Sequence, residues 1–82
     1  MKKTHKALVE LLVNRPPFRT QEMITAKLFW VGEMTLEIFN RSWMQQASTL
    51  ADKYPDIFKQ EYTDRHESLK LTLVNDAKAR KL

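Results

Sequence analysis

The stretch NRSWMQQASTLADKYP, residues 40–55, places Arg41, Ser42, Gln45, Ser48 and Thr49 between bulky apolar residues. Arg and Gln end in planar groups that form paired hydrogen bonds. Arg can take the two acceptors of a guanine edge, Gln can pair with N6 and N7 of adenine, and Ser and Thr serve phosphate or base. On a helical wheel at about 100° per residue, Leu36, Phe39, Ala47, Leu50 and Tyr54 fall within roughly 40° of Trp43. The polar set then points away from that stripe, with Arg41 and Gln45 at i and i+4 on one face near the helix start. Asp52 carries the wrong sign for phosphate but lies beyond this first part of the helix. The bland reading of the same residues is a solvated helix face.

Other chemistry finds less support. The chain has no cysteine, which excludes disulfides, thiol catalysis and Cys-based zinc sites. His5 and His66 stand in a basic tail and a polar loop, and neither is paired with a nucleophile by any motif. Asp64, His66 and Glu67 match no metal-ligand spacing. Gly32 is the single glycine, so there is no glycine-rich phosphate loop. The reading is therefore of a protein that is not an enzyme and needs no cofactor or metal.

A chain of 82 residues, 43% hydrophobic, is one folded domain, 1–82, with a single modest core. Its net charge of +4 is unevenly placed. Lys2, Lys3 and Lys6 open the chain, and Lys78, Arg80 and Lys81 close it. Residues 7–77 hold eight Lys/Arg against ten Asp/Glu, a sum of −2. The positive excess thus lies in short basic N- and C-terminal tails, which can grip an anionic polymer or simply aid solubility. No apolar run is long enough to span a bilayer, and LVELLV is too broken for a secretory signal. A cytoplasmic protein without a membrane partner is expected.

The elements that must position the polar set follow from periodicity. Residues 4–14, THKALVELLVN, show helical spacing, with Thr4 as an N-cap and an end before Pro16. Thr20 caps a second helix, TQEMITAKLF, with Glu22 in its first turn. Gly32 marks a turn near 32–34, and Thr35 could cap a helix running on to Lys53. Ile38 would then face the polar side, so a break before Asn40 is preferred, with Asn40 as the cap of helix 40–53. After Pro55 the period changes to two. Phe58, Gln60 and Tyr62 alternate with Lys59 and Glu61, and Leu69, Leu71 and Leu73 alternate with Lys70 and Thr72. This predicts a β-hairpin joined by TDRHES, with a helix from Thr63 onwards as the other possibility.

The order helix, link, helix, turn, longer helix, hairpin resembles the winged helix-turn-helix family over about residues 4–74. LADKYPDIF followed by KQEY and SLKLTLV is the nearest local match. The segment 29–39 departs from the short turn usual between that family's second and third helices. The resemblance implies an α+β, mainly helical fold: three helices and a C-terminal β-hairpin wing. It implies a small sequence-specific protein that binds double-stranded DNA; the low glycine content, the lack of cysteine and the compact length suit a bacterial or phage protein. Such a protein acts as a transcriptional regulator or architectural accessory factor, as a homodimer or beside a larger protein. Helix 40–53 would read the major groove with Asn40, Arg41, Ser42, Gln45, Ser48 and Thr49. Thr20 and Gln21 would meet a phosphate at the second helix's N-terminus, and Lys59, Arg65 and Lys70 would contact DNA from the wing. The competing reading is a protein-interaction module whose patch is Trp30, Met34 and Ile38. Phe29, Trp30, Phe39 and Trp43 are otherwise expected to fill the core.

Overall fold

The change of hydrophobic period after Pro55 marks a real hairpin, but that hairpin is half of a larger sheet. In the computed structural model, which describes residues 1–82, the chain forms helices α1 (Lys3–Asn14), α2 (Gln21–Ala26), α3 (Arg41–Lys53) and α4 (Asp76–Ala79). Its strands are β1 (Leu28–Gly32), β2 (Thr35–Ile38), β3 (Phe58–Tyr62) and β4 (Leu69–Leu73). They form one sheet in the order β1-β2-β4-β3, antiparallel throughout.

This overturns the three-helix winged helix-turn-helix with a two-stranded wing. A second hairpin, β1–β2, stands between α2 and α3 and completes a four-stranded sheet with the expected one. The reason is visible in the side chains. Leu28, Leu36 and Ile38 are wholly buried, whereas Phe29, Val31, Thr35 and Glu37 alternate with them and face away from the core. In LFWV both the inward and the outward residues are apolar, so the period of two is hidden. Gly32 falls at the hairpin turn, and the register shifts between Trp30 and Gly32. Thr35, expected as a helix cap, lies in β2, where its hydroxyl meets that of Thr72 at 2.9 Å.

The helices cover one face of this sheet. Leu8, Leu12, Met23, Met44, Ala47 and Leu50 join Leu36, Ile38, Phe58, Leu69 and Leu71 in one buried cluster. Two of the expected caps form: Thr20 Oγ1 accepts from Met23 N–H at 3.1 Å, and Asn40 Oδ1 from Trp43 N–H at 3.2 Å. Thr4 does not cap, because α1 already begins at Lys3. Arg15 ends α1 in the left-handed conformation (φ 45°), its N–H donating to Leu11 O at 2.8 Å, just before Pro16.

The termini are less free than a pair of tails. Asn75 caps α4, which buries Ala79. Lys78 meets Asp56 at 2.7 Å and Arg80 meets Asp76 at 2.7 Å. The hydrogen bond from Lys78 holds the Asp56 carboxyl below its usual range. Near the other end His5 is buried on α1, and its Nε2 lacks a hydrogen-bond partner, as does the buried Oε1 of Gln46 on α3. Burial, then the charge of Lys2 and more weakly that of Lys53, lowers the imidazole pKa from 6.5, and Gln46 opposes the shift in part.

Candidate functional site

Helix α3 leaves the end of β2 after a two-residue link, and the Asn40 cap sets its direction. Met44, Ala47, Leu50 and Ala51 are its buried face, packed on the sheet and α1. Trp43, expected at the centre of that face, is only half-buried on its flank, and Phe39 is 41% exposed. The wheel is rotated because Leu36 lies in β2 and Phe39 in the link that follows it, so neither continues the helical phase.

The rotation keeps the polar set outside. Arg41, Ser42, Gln45 and Thr49 are exposed and Ser48 is half-buried. Thr49 Oγ1 donates to Gln45 O at 2.9 Å, which ties the hydroxyl to its own helix. Arg41, Met44, Gln45, Ser48, Thr49 and Tyr62 line a shallow depression of about 360 Å³ between α3 and the edge strand β3. Its lining holds no carboxylate. The nearest acid along the helix, Asp52, accepts a hydrogen bond from Gln60 Nε2 at 2.6 Å. Tyr62 stacks on His66 with ring centroids 4.6 Å apart and an interplanar angle of 16°. Arg65 and His66 both take positive φ, 63° and 56°, in the turn that a Thr63–Ser68 hydrogen-bond clasp closes. Arg65 and Tyr62 thus lie at the end of the hairpin that borders the depression.

The remaining sequence-predicted contacts are not brought to this surface. Lys59 and Lys70 point from the opposite, open face of the sheet, because they alternate with Phe58, Gln60 and Leu71. There they share a depression of about 250 Å³ with Val31, Thr35, Glu61 and Thr72. In register, Lys70 sits between Glu37 and Glu61, so its charge is flanked by acids. Thr20 and Gln21 begin α2, which packs on β1 at the far edge of the sheet from β3. The Thr20 hydroxyl is occupied by its cap, and Gln21 Nε2 donates to Thr25 Oγ1 at 3.3 Å. Asn40 likewise spends its side-chain oxygen on Trp43.

The patch Trp30, Met34 and Ile38 does not exist as a surface, since Ile38 is fully buried and the other two are half-buried against the core. The neighbours one position along are outside instead. Phe29 and Phe39 meet edge-to-face at 5.6 Å, and the Arg19 guanidinium lies 3.9 Å from the Phe29 ring centre. Lys27 joins them around an open apolar hollow. Both phenylalanines were expected in the core; alternation across β1 and β2 is the signal that places them outside.

Comparison with family models, with curated proteins and with solved structures finds no match for this chain.

Proposed function

We propose that the protein binds double-stranded DNA through the exposed face of α3 and acts by occupying its site. The observation that supports this reading is the pairing of Arg41 and Gln45 on the first turns of a firmly packed helix. Both are exposed, both carry planar hydrogen-bonding ends, and the depression beside them contains no acid. Ser48 and Arg65 supply hydroxyl and guanidinium donors around them, and the Tyr62–His66 stack closes one side. A helix anchored by four buried residues holds such side chains more steadily than a loop does. Lys59, Lys70, Thr20 and Gln21 have no part in this contact, because the sheet and its far edge separate them from α3. Random-site selection on duplex DNA, followed by affinities across a salt series, tests the reading. A recovered preferred site with a negative salt slope supports it. A flat selection with no salt dependence removes it.

A second reading rests on the Phe29–Phe39 pair. An exposed aromatic pair with Arg19 and Lys27 beside it has the composition of an anchor on a partner protein. This moves the interaction patch from Trp30, Met34 and Ile38 to the opposite side of the same hairpin. Its test is Phe29→Ser with Phe39→Ser, which should leave DNA binding unchanged.

A further inference from the structure

The two edges of the sheet are finished differently. At β1 the register shift near Trp30 disrupts the strand, α2 packs alongside, and Arg19 Nε donates to the Leu28 carbonyl at 3.1 Å. These devices blunt an edge against further pairing. At β3 no residue plays the part of Arg19.

Which β3 groups are available follows from the ladder. Val74 N–H donates to Ile57 O at 2.8 Å and Thr63 N–H to Ser68 O at 3.0 Å. With the register Phe58↔Leu73 to Tyr62↔Leu69, backbone groups of 57, 59, 61 and 63 therefore turn towards β4. Those of Phe58, Gln60 and Tyr62 turn outward. The Phe58 N–H is taken by Tyr54 O at 3.0 Å, and the Phe58 carbonyl and the Gln60 and Tyr62 groups remain.

We propose that β3 pairs antiparallel with β3 of a second copy about a twofold axis through Gln60, joining two sheets into one. Gln60 exchanges N–H···O=C bonds with its copy, and the Tyr62 N–H reaches the Phe58 carbonyl of the second copy. On the open face this register sets Lys59 opposite Glu61 of the second copy, and Glu61 opposite its Lys59. They are non-hydrogen-bonded pairs, in which side chains approach most closely. Shifting the register by the next allowed step sets Lys59 against itself or Glu61 against itself. The charge pattern of the strand thus selects one pairing and selects its own copy. Asp52 accepts from Gln60 on the covered face, which places a carboxylate of each copy near the axis as a term that opposes association. Arg41 lies at the other end of α3, about 16 Å from Asp52. The pairing uses the backbone of Tyr62, whose side chain lines the depression beside α3, so the dimer adjoins that surface, and its association can be measured without DNA.

The experiment is sedimentation equilibrium on the full chain across a micromolar concentration series. The wild type should dimerise. Lys59→Glu and Glu61→Lys, each exposed and outside the core, should weaken association by roughly tenfold or more, because each sets like charges opposite one another. Mixing the two single variants should restore association as a heterodimer, and the double variant should self-associate again. Far-UV circular dichroism checks that each variant is folded. Gln60→Pro, whose lost N–H points away from β4, gives a second way to block pairing on a folded monomer. A wild type that stays monomeric overturns the proposal. So does a dimer indifferent to these charges, or single variants that fail to associate when mixed.

Discussion

The helix that covers one face of the sheet and the open face opposite both present polar residues to solvent, and they differ in how those residues are supported. On the covered side, α3 stands on four buried side chains and holds Arg41, Gln45 and Thr49 clear of any free carboxylate. On the open side, Lys59 and Lys70 interleave with Glu37 and Glu61 across adjacent strands. Interleaved charges of both signs favour solvent and neighbouring strands. An acid-free polar face on a rigid helix favours a ligand with acceptors of its own. Counting cations along the chain cannot separate these cases; knowing which side of the sheet each one faces does.

The sharpest break between the sides is in stability. Phe58 is buried at the root of β3 and Lys59, the next residue, is exposed on the open face. Phe58→Ala should cost about 3–5 kcal/mol, while Lys59→Ala should stay within about 0.5 kcal/mol, both read from urea unfolding at a concentration low enough to keep the chain monomeric. Equal effects would mean that the alternation of β3 is wrong.

A second test concerns the α1–α3 contact that supports the covered side. The His5 pKa is lowered in the folded state, so the unfolded chain binds the proton more tightly. The stability contribution is full above pH 6.5 and is lost as pH falls below it, through the lowered folded pKa. Urea midpoints taken from pH 7.5 down to about 5 should therefore decline in the wild type. His5→Leu should flatten that decline and, by removing an unpartnered buried nitrogen, should not lower stability at pH 7. A decline that persists unchanged in His5→Leu would assign it to other groups.

The smallest effect lies beside the open face. Lys27 adopts φ 59°, ψ 49° as the C-cap of α2, a conformation glycine takes without steric cost. Lys27→Gly should be stabilising or neutral by up to about 1 kcal/mol, and melting temperature reads it. A loss of stability would show that the lysine side chain contributes packing around Phe29 that outweighs the backbone strain.

These contrasts explain what the chain disclosed beforehand. The β3–β4 hairpin was legible because its inward residues are apolar and its outward ones polar. The caps at Thr20 and Asn40 were legible because Thr and Asn satisfy free N–H groups at helix starts. The β1–β2 hairpin was not, because Leu28, Phe29, Trp30 and Val31 are apolar on both faces, and a helical reading of 35–39 hid β2. From that single omission followed the winged-helix expectation, the misplaced Trp30–Ile38 patch and the union of α3 with Lys59 and Lys70. The outward set on α3 survived because it depends only on local helical phase after Asn40.

The central claim is that α3, and not the lysine-bearing open face, meets DNA. It is tested most directly by measuring, at one salt concentration, the affinities of four variants for a selected duplex and a scrambled one. Arg41→Ala and Gln45→Ala should each cost about 1–3 kcal/mol on the selected site and relax preference at one or two base pairs. Lys59→Ala and Lys70→Ala should bind both duplexes as the wild type does. If the lysine variants lose affinity while Arg41→Ala and Gln45→Ala bind the selected site unchanged, DNA meets the open face and the account of α3 is wrong.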